Sequence, residues 1–147
     1  QAAGVLGVER SSIDTIVAES DIVSLHLPLN AETHHLIDAD FLSRLRPHAV
    51  IINTSRGAIV DQAALVAALD GERLGGAGLD VFEIEPLPRA SPLTRAPNVV
   101  LTPHIAASTF ETAIRTYKMA LDNVASILTG KACDHVINQV DSHALKK

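Results

Sequence analysis

Arg56, Glu85 and His104 each follow a short apolar run of the kind that forms a buried β-strand. In an open parallel sheet the carboxyl ends of the strands meet at one edge, and ligands bind in the crevice outside that edge. If the three strands are adjacent and parallel, a guanidinium, a carboxylate and an imidazole therefore converge. We expect one site that contains all three side chains.

This combination suits acid–base chemistry on a keto or hydroxy acid. A guanidinium fork can hold a carboxylate or a carbonyl oxygen through two parallel hydrogen bonds. An imidazole can give or take a proton near neutral pH, and a carboxylate bonded to it fixes its tautomer and favours its protonated form. Reduction of a 2-keto acid would also need a cofactor that carries the hydride, because protein side chains cannot supply one.

Each of these residues also has a simpler interpretation. Arg56 could be a solvated arginine in an ordinary turn, Glu85 a solvated loop acid, and His104 a strand-end histidine bonded to a carbonyl. The pair His34-His35 suggests a metal ligand set, but adjacent side chains are expected to point apart and no acid or cysteine stands at ligand spacing. We therefore expect no metal site there.

The elements that must position these residues alternate along the chain. Strands are predicted over residues 21–28, 49–54, 75–82 and 98–103. Helices are predicted after capping residues Ser12, Asp38 and Asp61, the last of them closed by Gly71. This alternation predicts an α/β fold: a partial Rossmann-like, doubly wound parallel sheet with right-handed crossovers. A proline-rich loop over 83–97 is long enough to be functional.

A long helix is predicted last. Ser108 and Glu111 form a Ser-x-x-Glu capping box, and Gly130 closes the helix. Apolar residues recur on one face at Phe110, Ile114, Tyr117, Leu121, Val124 and Leu128. About twenty residues at 1.5 Å each span roughly 30 Å, which is long enough to leave this domain and dock elsewhere. No further element is predicted from Lys131 onward.

The composition excludes several classes of protein. The chain has 147 residues, of which 47% are apolar and 20% charged, as in a globular domain. A net charge of −5 without a basic cluster argues against a nucleic-acid partner. No apolar run approaches the roughly 18 residues of a membrane span, and no secretory leader is visible. The single cysteine, Cys133, excludes an internal disulfide framework and predicts a reducing, cytoplasmic compartment.

Four long motifs, in this order, resemble the D-isomer-specific 2-hydroxyacid dehydrogenase family. They are SDIVSLHLPL at 20–29, INTSRG at 52–57, GLDVFEIEPLP at 78–88 and NVVLTPHIA at 98–106. Val60-Asp61 and Ala64-Leu65 also match behind the second motif. The resemblance covers about residues 8 to 139 and is far more specific than a lone glycine pattern.

The resemblance implies a role for each matching residue. Arg56 would grip the substrate, His104 would be the general acid in reduction and the base in oxidation, and Glu85 would orient and charge His104. Asp80 would hold the nicotinamide carboxamide of NAD or NADP, beside Arg56 and His104. Further cofactor contacts would come from His26, Leu27, Pro28, Thr33, Thr54, Ser55 and Ala106. His26 lies inside a strand pattern and is expected to contribute its backbone rather than its ring.

The resemblance also places part of the family pattern outside this chain. The glycine-rich turn that binds the pyrophosphate, the acid that binds the adenosine ribose and the substrate domain would all precede residue 1. We therefore expect residues 1–107 to be the later part of an NAD(P)-binding domain, and 108–147 a helix and tail that return to the substrate domain. By this expectation the chain is a fragment of a longer enzyme, inactive by itself.

The implied function is hydride transfer between NAD or NADP and a D-2-hydroxy acid or 2-keto acid, in a cytoplasmic homodimer. The substrate is left open among glyoxylate, hydroxypyruvate and phosphohydroxypyruvate. A dinucleotide-sensing regulator on the same fold, resembling the C-terminal-binding corepressors, is an alternative that the motifs leave open. A folded remnant without activity is another.

Overall fold

The computed structural model describes residues 7–131 and 133, which divide into two compact units that meet between Ala106 and Ala107. The first unit contains one parallel sheet whose strands are adjacent in chain order: β1 (Ile22–Leu25), β2 (Val50–Asn53), β3 (Gly76–Leu79) and β4 (Val99–Leu101). Helices α1 (Ile13–Glu19), α2 (Ala39–Arg44) and α3 (Gln62–Asp70) alternate with these strands, and 3₁₀ turns span Gly57–Ile59 and Pro92–Thr94. The predicted parallel α/β fold is confirmed.

The register aligns the carboxyl ends of all four strands. Leu25 pairs with Asn53, Asn53 with Leu79, and Leu79 with Leu101. The residues that follow each strand therefore begin at the same level of the sheet edge. This alignment is what allows the segments after β2, β3 and β4 to contribute to one site.

Apolar burial explains why these short elements are stable. The central strands β2 and β3 lie beneath the helices, and Ile51 is fully buried. The other fully buried large apolar side chains lie outside the strands of the sheet: Val17, Ile37, Ile59, Leu65, Leu69 and Leu93. Leu93 belongs to the 3₁₀ turn of the proline-rich loop, so this loop is packed into the core rather than loosely attached.

Helices α1, α2 and α3 begin at the predicted capping residues. The side chains of Ser12, Asp38 and Asp61 accept hydrogen bonds from backbone N–H groups three residues later. Gly71 caps the end of α3, as predicted. The strands are shorter than predicted, because ladder pairing covers only three or four residues of each apolar run.

The second unit contains α4 (Phe110–Leu128), which ends before Gly130 at a φ of +69°. The predicted capping box is wrong. Thr109, one residue later than Ser108, has the extended N-cap backbone, and its hydroxyl accepts the Thr112 N–H at 3.1 Å. Glu111 therefore lies at the second helical position, where it still favours the positive end of the helix dipole.

The predicted apolar side chains of α4 are exposed; Phe110, Tyr117 and Leu128 are 77%, 70% and 80% accessible. In the described part of the chain, no helix has the length and hydropathy to cross a membrane. Residues 1–6 lie outside the described residues, and so does the tail in which no further element is predicted, except for Lys131 and Cys133.

Candidate active site

Asp80 organises the edge of the sheet where β3 ends. Its carboxylate is 2% exposed and accepts hydrogen bonds at Oδ1 from Thr102 Oγ1 at 2.5 Å and Ile105 N at 2.9 Å, and at Oδ2 from Ala106 N at 2.8 Å. Burial opposes its ionisation, but these bonds and the nearby His104 outweigh burial and lower the pKa of the Asp80 carboxyl. Asp80 thereby fastens the segment after β4 to the end of β3.

This arrangement adds a structural task to the predicted cofactor role of Asp80. Three donors from the chain itself already bind its carboxylate. Oδ2 accepts only one of those bonds, so it can accept another from a donor such as a carboxamide N–H. Ala106, predicted to lie near the cofactor, uses its backbone N–H to bind Asp80.

Glu85 and His104 form a hydrogen-bonded pair. Glu85 Oε2 lies 2.7 Å from His104 Nδ1, while Glu85 Oε1 accepts the backbone N–H of Phe82 at 3.0 Å. The bond to His104, followed by that from Phe82, lowers the pKa of the Glu85 carboxyl, although burial acts in the opposite direction. Because Nδ1 is engaged, Nε2 is the nitrogen that can exchange a proton with a ligand.

The backbone presents His104 at the cavity edge. His104 has a φ of +56°, and its N–H donates to the carbonyl of Thr102 at 3.0 Å. Its side chain is 51% exposed. An open cavity of about 660 Å³ borders the pair, lined by Phe82, Glu85, Pro86, Leu87, Leu101, Thr102, Pro103 and His104. The pair is thus held by the chain and still reachable by a small molecule.

Arg56 lies in the turn after β2, and Asn53 shapes that turn. The buried Asn53 side chain donates to the Arg56 carbonyl at 2.9 Å and accepts the Ser55 N–H at 3.0 Å. The exposed Arg56 guanidinium donates only to the Ser55 carbonyl, at 2.7 Å, among the described residues. The structure therefore brings Glu85 and His104 into contact, while Arg56 stands free of both at the same sheet edge.

Gly57 joins the Arg56 turn to the Glu85 loop. A Cβ atom at Gly57 would lie 1.9 Å from the carbonyl carbon of Phe82 and 2.0 Å from its oxygen. The two backbones can pack this closely only because Gly57 has no side chain. Asn53 and Gly57 were not assigned individual functions from the sequence; a polar residue at a buried strand end and a glycine beside a candidate ligand-binding arginine are the signals that point to them.

A second open cavity, of about 680 Å³, lies where β1 and β2 end. It is lined by His26, Leu27, Pro28, Leu29, Thr54, Ser55 and Arg56, which includes most of the predicted cofactor contacts. The Ser55 hydroxyl donates to the Leu27 carbonyl and joins the two strand ends. The prediction that His26 lies inside a strand is wrong, because β1 ends at Leu25; the His26 ring turns back to β1, with Nε2 2.9 Å from Ser24 Oγ. The size, hydroxyl groups and position of this cleft fit part of a dinucleotide cofactor.

The side chains of Thr33, His34 and His35 make their contacts with other residues of the chain. Thr33 Oγ1 donates to the Pro28 carbonyl at 2.6 Å and is not among the residues that line either cavity. The expectation that His34 and His35 point apart is wrong: their rings stack with centroids 4.1 Å apart, because His35 has a φ of +51°. His35 Nε2 also lies 3.1 Å from Glu83 Oε1.

Known proteins are similar to this chain in sequence and in fold. A glyoxylate reductase of Korarchaeum cryptofilum is 45% identical over 134 residues, which cover 91% of this chain and 40% of the relative. The holo form of Rhodotorula graminis D-mandelate dehydrogenase matches with a TM-score of 0.86 and 36% identity, over 95% of this chain and 41% of that one. A Xanthobacter autotrophicus Py2 D-isomer specific 2-hydroxyacid dehydrogenase, solved with NADPH and MES, matches with a TM-score of 0.73 and 41% identity, over 90% of this chain and 52% of that one.

The chain spans about 40% of the length of the curated relatives that it matches. Residues 1–106 match the family model for the NAD binding domain of D-isomer specific 2-hydroxyacid dehydrogenases. This match covers well over half of the 147 residues. The chain belongs to the D-isomer-specific 2-hydroxyacid dehydrogenase family.

Proposed function

We propose that the natural protein containing this chain transfers a hydride between NAD or NADP and a D-2-hydroxy acid or its 2-keto acid. The observation that carries this proposal is the 2.7 Å contact between Glu85 and His104, at the same sheet edge as the free guanidinium of Arg56. Membership of the family supports the reaction class. The nicotinamide, when bound, supplies or accepts the hydride.

The side chains of His104, Glu85 and Arg56 carry out the proton transfer and bind the substrate in this proposal. His104, held at Nδ1 by Glu85, donates a proton from Nε2 to the keto oxygen during reduction and takes it back during oxidation. The lowered pKa of Glu85 keeps its carboxylate charged, so that it holds His104 Nδ1 through a charge-assisted hydrogen bond. Arg56 has donors free for the substrate carboxylate and the keto oxygen.

The cofactor would occupy the cleft at the ends of β1 and β2. His26, Leu27 and Pro28 line this cleft together with Thr54 and Ser55. Asp80 has acceptor capacity at Oδ2 for the carboxamide. Thr33 would act indirectly, through the hydrogen bond that holds the Pro28 carbonyl.

Glyoxylate is the first substrate to test, since the relative from Korarchaeum cryptofilum is a glyoxylate reductase. Hydroxypyruvate and phosphohydroxypyruvate are tested next, because the sequence does not distinguish among the three keto acids. The experiment follows NADH and NADPH oxidation by the natural protein with each keto acid. Turnover of any of these keto acids supports the proposal. Binding of NADH or NADPH without any turnover favours the alternative function, a dinucleotide-sensing regulator on the same fold.

Matched histidine variants make this test specific. His104 and the exposed His48 both have positive φ values, +56° and +69°, which asparagine tolerates. His104→Asn removes the proposed acid and should lower kcat by about 100-fold or more. His48→Asn should stay within about twofold of the wild type, and an equal loss in both variants would point to a folding defect instead.

We further infer that residues 1–107 are the later part of the nucleotide domain, that 108–147 return to the substrate domain, and that the protein is a cytoplasmic homodimer. The exposed apolar side chains of α4 support association. We expect the 147-residue chain by itself to bind NADH weakly, to turn over no keto acid and to form dimers or larger species. Calorimetric titration with NADH and light scattering test this, and micromolar binding by a clean monomer would refute it.

A further inference from the structure

We propose that Glu83 is a positioning residue: it anchors the loop after β3 to the start of α3 and to His35, and thereby sets Glu85 against His104. The inference rests on the proposed function for its catalytic consequence. The anchoring itself is a property of the chain and can be measured without any turnover.

The Glu83 carboxylate joins two separate parts of the fold. Its Oε1 accepts the backbone N–H of Gln62, the first residue of α3, at 2.9 Å. The same oxygen lies 3.1 Å from His35 Nε2. An acid at a helix start is favoured both by the unpaired N–H groups there and by the helix dipole. The loop is therefore tied to a rigid element rather than only to itself.

His35 extends the anchor to the Arg56 turn. The His35 N–H donates to the carbonyl of Ala58 at 2.8 Å, and Ala58 lies in the 3₁₀ turn that follows Arg56. Glu83 is thus connected through one side chain to the turn that presents the guanidinium. The Arg56 turn is also held by Asn53, so Glu83 is not its only support.

Apolar packing cannot hold this part of the loop by itself. Phe82 is buried, at 8% exposure, but the next apolar residue, Ile84, is 66% exposed. Between Phe82 and Pro86, the described hydrogen bonds of the loop are made by the carboxylates of Glu83 and Glu85 and by the Phe82 N–H. One residue separates the two acids, so displacement of Glu83 moves the Glu85 carboxylate relative to His104.

The direct test follows the ionisation of Glu85 by NMR of its side-chain carboxyl carbon in the 147-residue chain. Glu83→Ala removes both contacts, whereas Glu83→Gln keeps an acceptor for the Gln62 N–H and loses only the charge. Glu19→Gln is the charge-matched control, because the exposed Glu19 side chain makes no bond among the described residues.

We expect the pKa of Glu85 to rise toward its ordinary value in Glu83→Ala and less in Glu83→Gln, because the His104 and Phe82 hydrogen bonds that lower it are weakened. Asp80 and His104, the other charged groups near Glu85, are unchanged in every variant. If Glu83 only capped α3, its removal would lower the free energy of unfolding and leave the pKa of Glu85 unchanged. Loss of stability with an unchanged Glu85 titration would therefore overturn the proposal.

The second readout is kinetic and uses the natural protein. Glu83→Ala should lower kcat about tenfold and leave KM for the keto acid within about twofold, because Arg56 keeps its own turn contacts. Glu83→Gln should recover part of this loss. An unchanged kcat in Glu83→Ala would overturn the catalytic consequence. An inactive wild type would refute the proposed function instead, and the NMR titration would still decide the anchoring.

Discussion

The candidate site has two sides, one with Asp80, Glu85 and His104 and the other with Arg56, and they differ in how their side chains are held. Glu85 and His104 are hydrogen-bonded to each other, Glu85 also accepts the Phe82 N–H, and Asp80 binds Thr102, Ile105 and Ala106, all at 2.5–3.0 Å. Arg56 is exposed, and among the described residues its guanidinium binds only the carbonyl of Ser55, its neighbour in sequence. The carboxylates of the first side are bonded to other groups of the chain, whereas most N–H donors of the Arg56 guanidinium have no partner in the described part of the chain.

This difference fits the role that we propose for each side. Proton transfer needs a fixed donor geometry before the ligand arrives, so hydrogen bonds within the chain are an advantage there. A guanidinium that recognises a carboxylate must keep its fork free, since an internal partner would compete with the ligand. Gly57 allows the two sides to pack together through backbone alone.

The largest effect is expected where the two sides meet. Gly57→Ala would place a Cβ atom 1.9 Å from the Phe82 carbonyl carbon, so the backbones must separate. We expect the free energy of unfolding to fall by about 3 kcal/mol, measured by urea denaturation. Gly71→Ala is the control: its nearest neighbour would be the Ala67 carbonyl oxygen at 3.1 Å, and the loss should be below about 1 kcal/mol. Equal losses would contradict the close-packing argument.

The free side is tested by Arg56→Lys, which keeps the charge and loses the fork. We expect kcat/KM of the natural protein to fall about 100-fold, because a two-bond anchor on the substrate is lost. The exposed Arg95 provides the matched control, and Arg95→Lys should change kcat/KM less than about twofold. A value for Arg56→Lys within about threefold of the wild type would remove this residue from the site.

The connected side is tested by Asp80→Asn, which replaces one acceptor oxygen by a donor facing the Ile105 or Ala106 N–H. We expect the free energy of unfolding to fall by about 2 kcal/mol at pH 7. The exposed Asp70 gives the control, and Asp70→Asn should change stability by less than about 0.5 kcal/mol.

The pH dependence of Asp80→Asn has a definite sign. Because the pKa of Asp80 is lowered in the folded chain, its charge contributes stability above the unfolded carboxyl pKa. That contribution is lost as the pH falls through the lowered folded pKa. The gap between wild type and variant should therefore narrow in acid. A gap that is constant from neutral to acid pH would contradict the assignment.

The smallest effect is expected from Glu85→Gln, which preserves shape and removes the charge beside His104. The charge-assisted hydrogen bond that orients His104 becomes a neutral one, so kcat/KM of the natural protein for reduction should fall about tenfold. The measurement is kcat/KM at neutral pH, with Glu19→Gln as the charge-matched control. Equal values in Glu85→Gln and the wild type would count against the pair.

The candidate site can be predicted from the sequence because its signals are local. Buried strands read as apolar runs, and the residues after them must lie at the carboxyl edge of a parallel sheet. Arg56, Glu85 and His104 were identified in this way. The same reasoning misplaced the cap of α4 by one residue, because Ser108 and Thr109 can both cap and only the backbone selects one of them.

The sequence by itself determined the alternation of elements, the caps of α1, α2 and α3, the family and the residue types at the sheet edge. Each of these depends on neighbours within a few positions or on matching motifs. Only the tertiary structure decided that Glu85 engages Nδ1 of His104, that Asp80 binds the segment after β4, that Gly57 lies against Phe82 and that Glu83 reaches His35. These contacts join residues 19 to 48 positions apart, and their geometry is set by strand register and backbone direction, which no local pattern encodes.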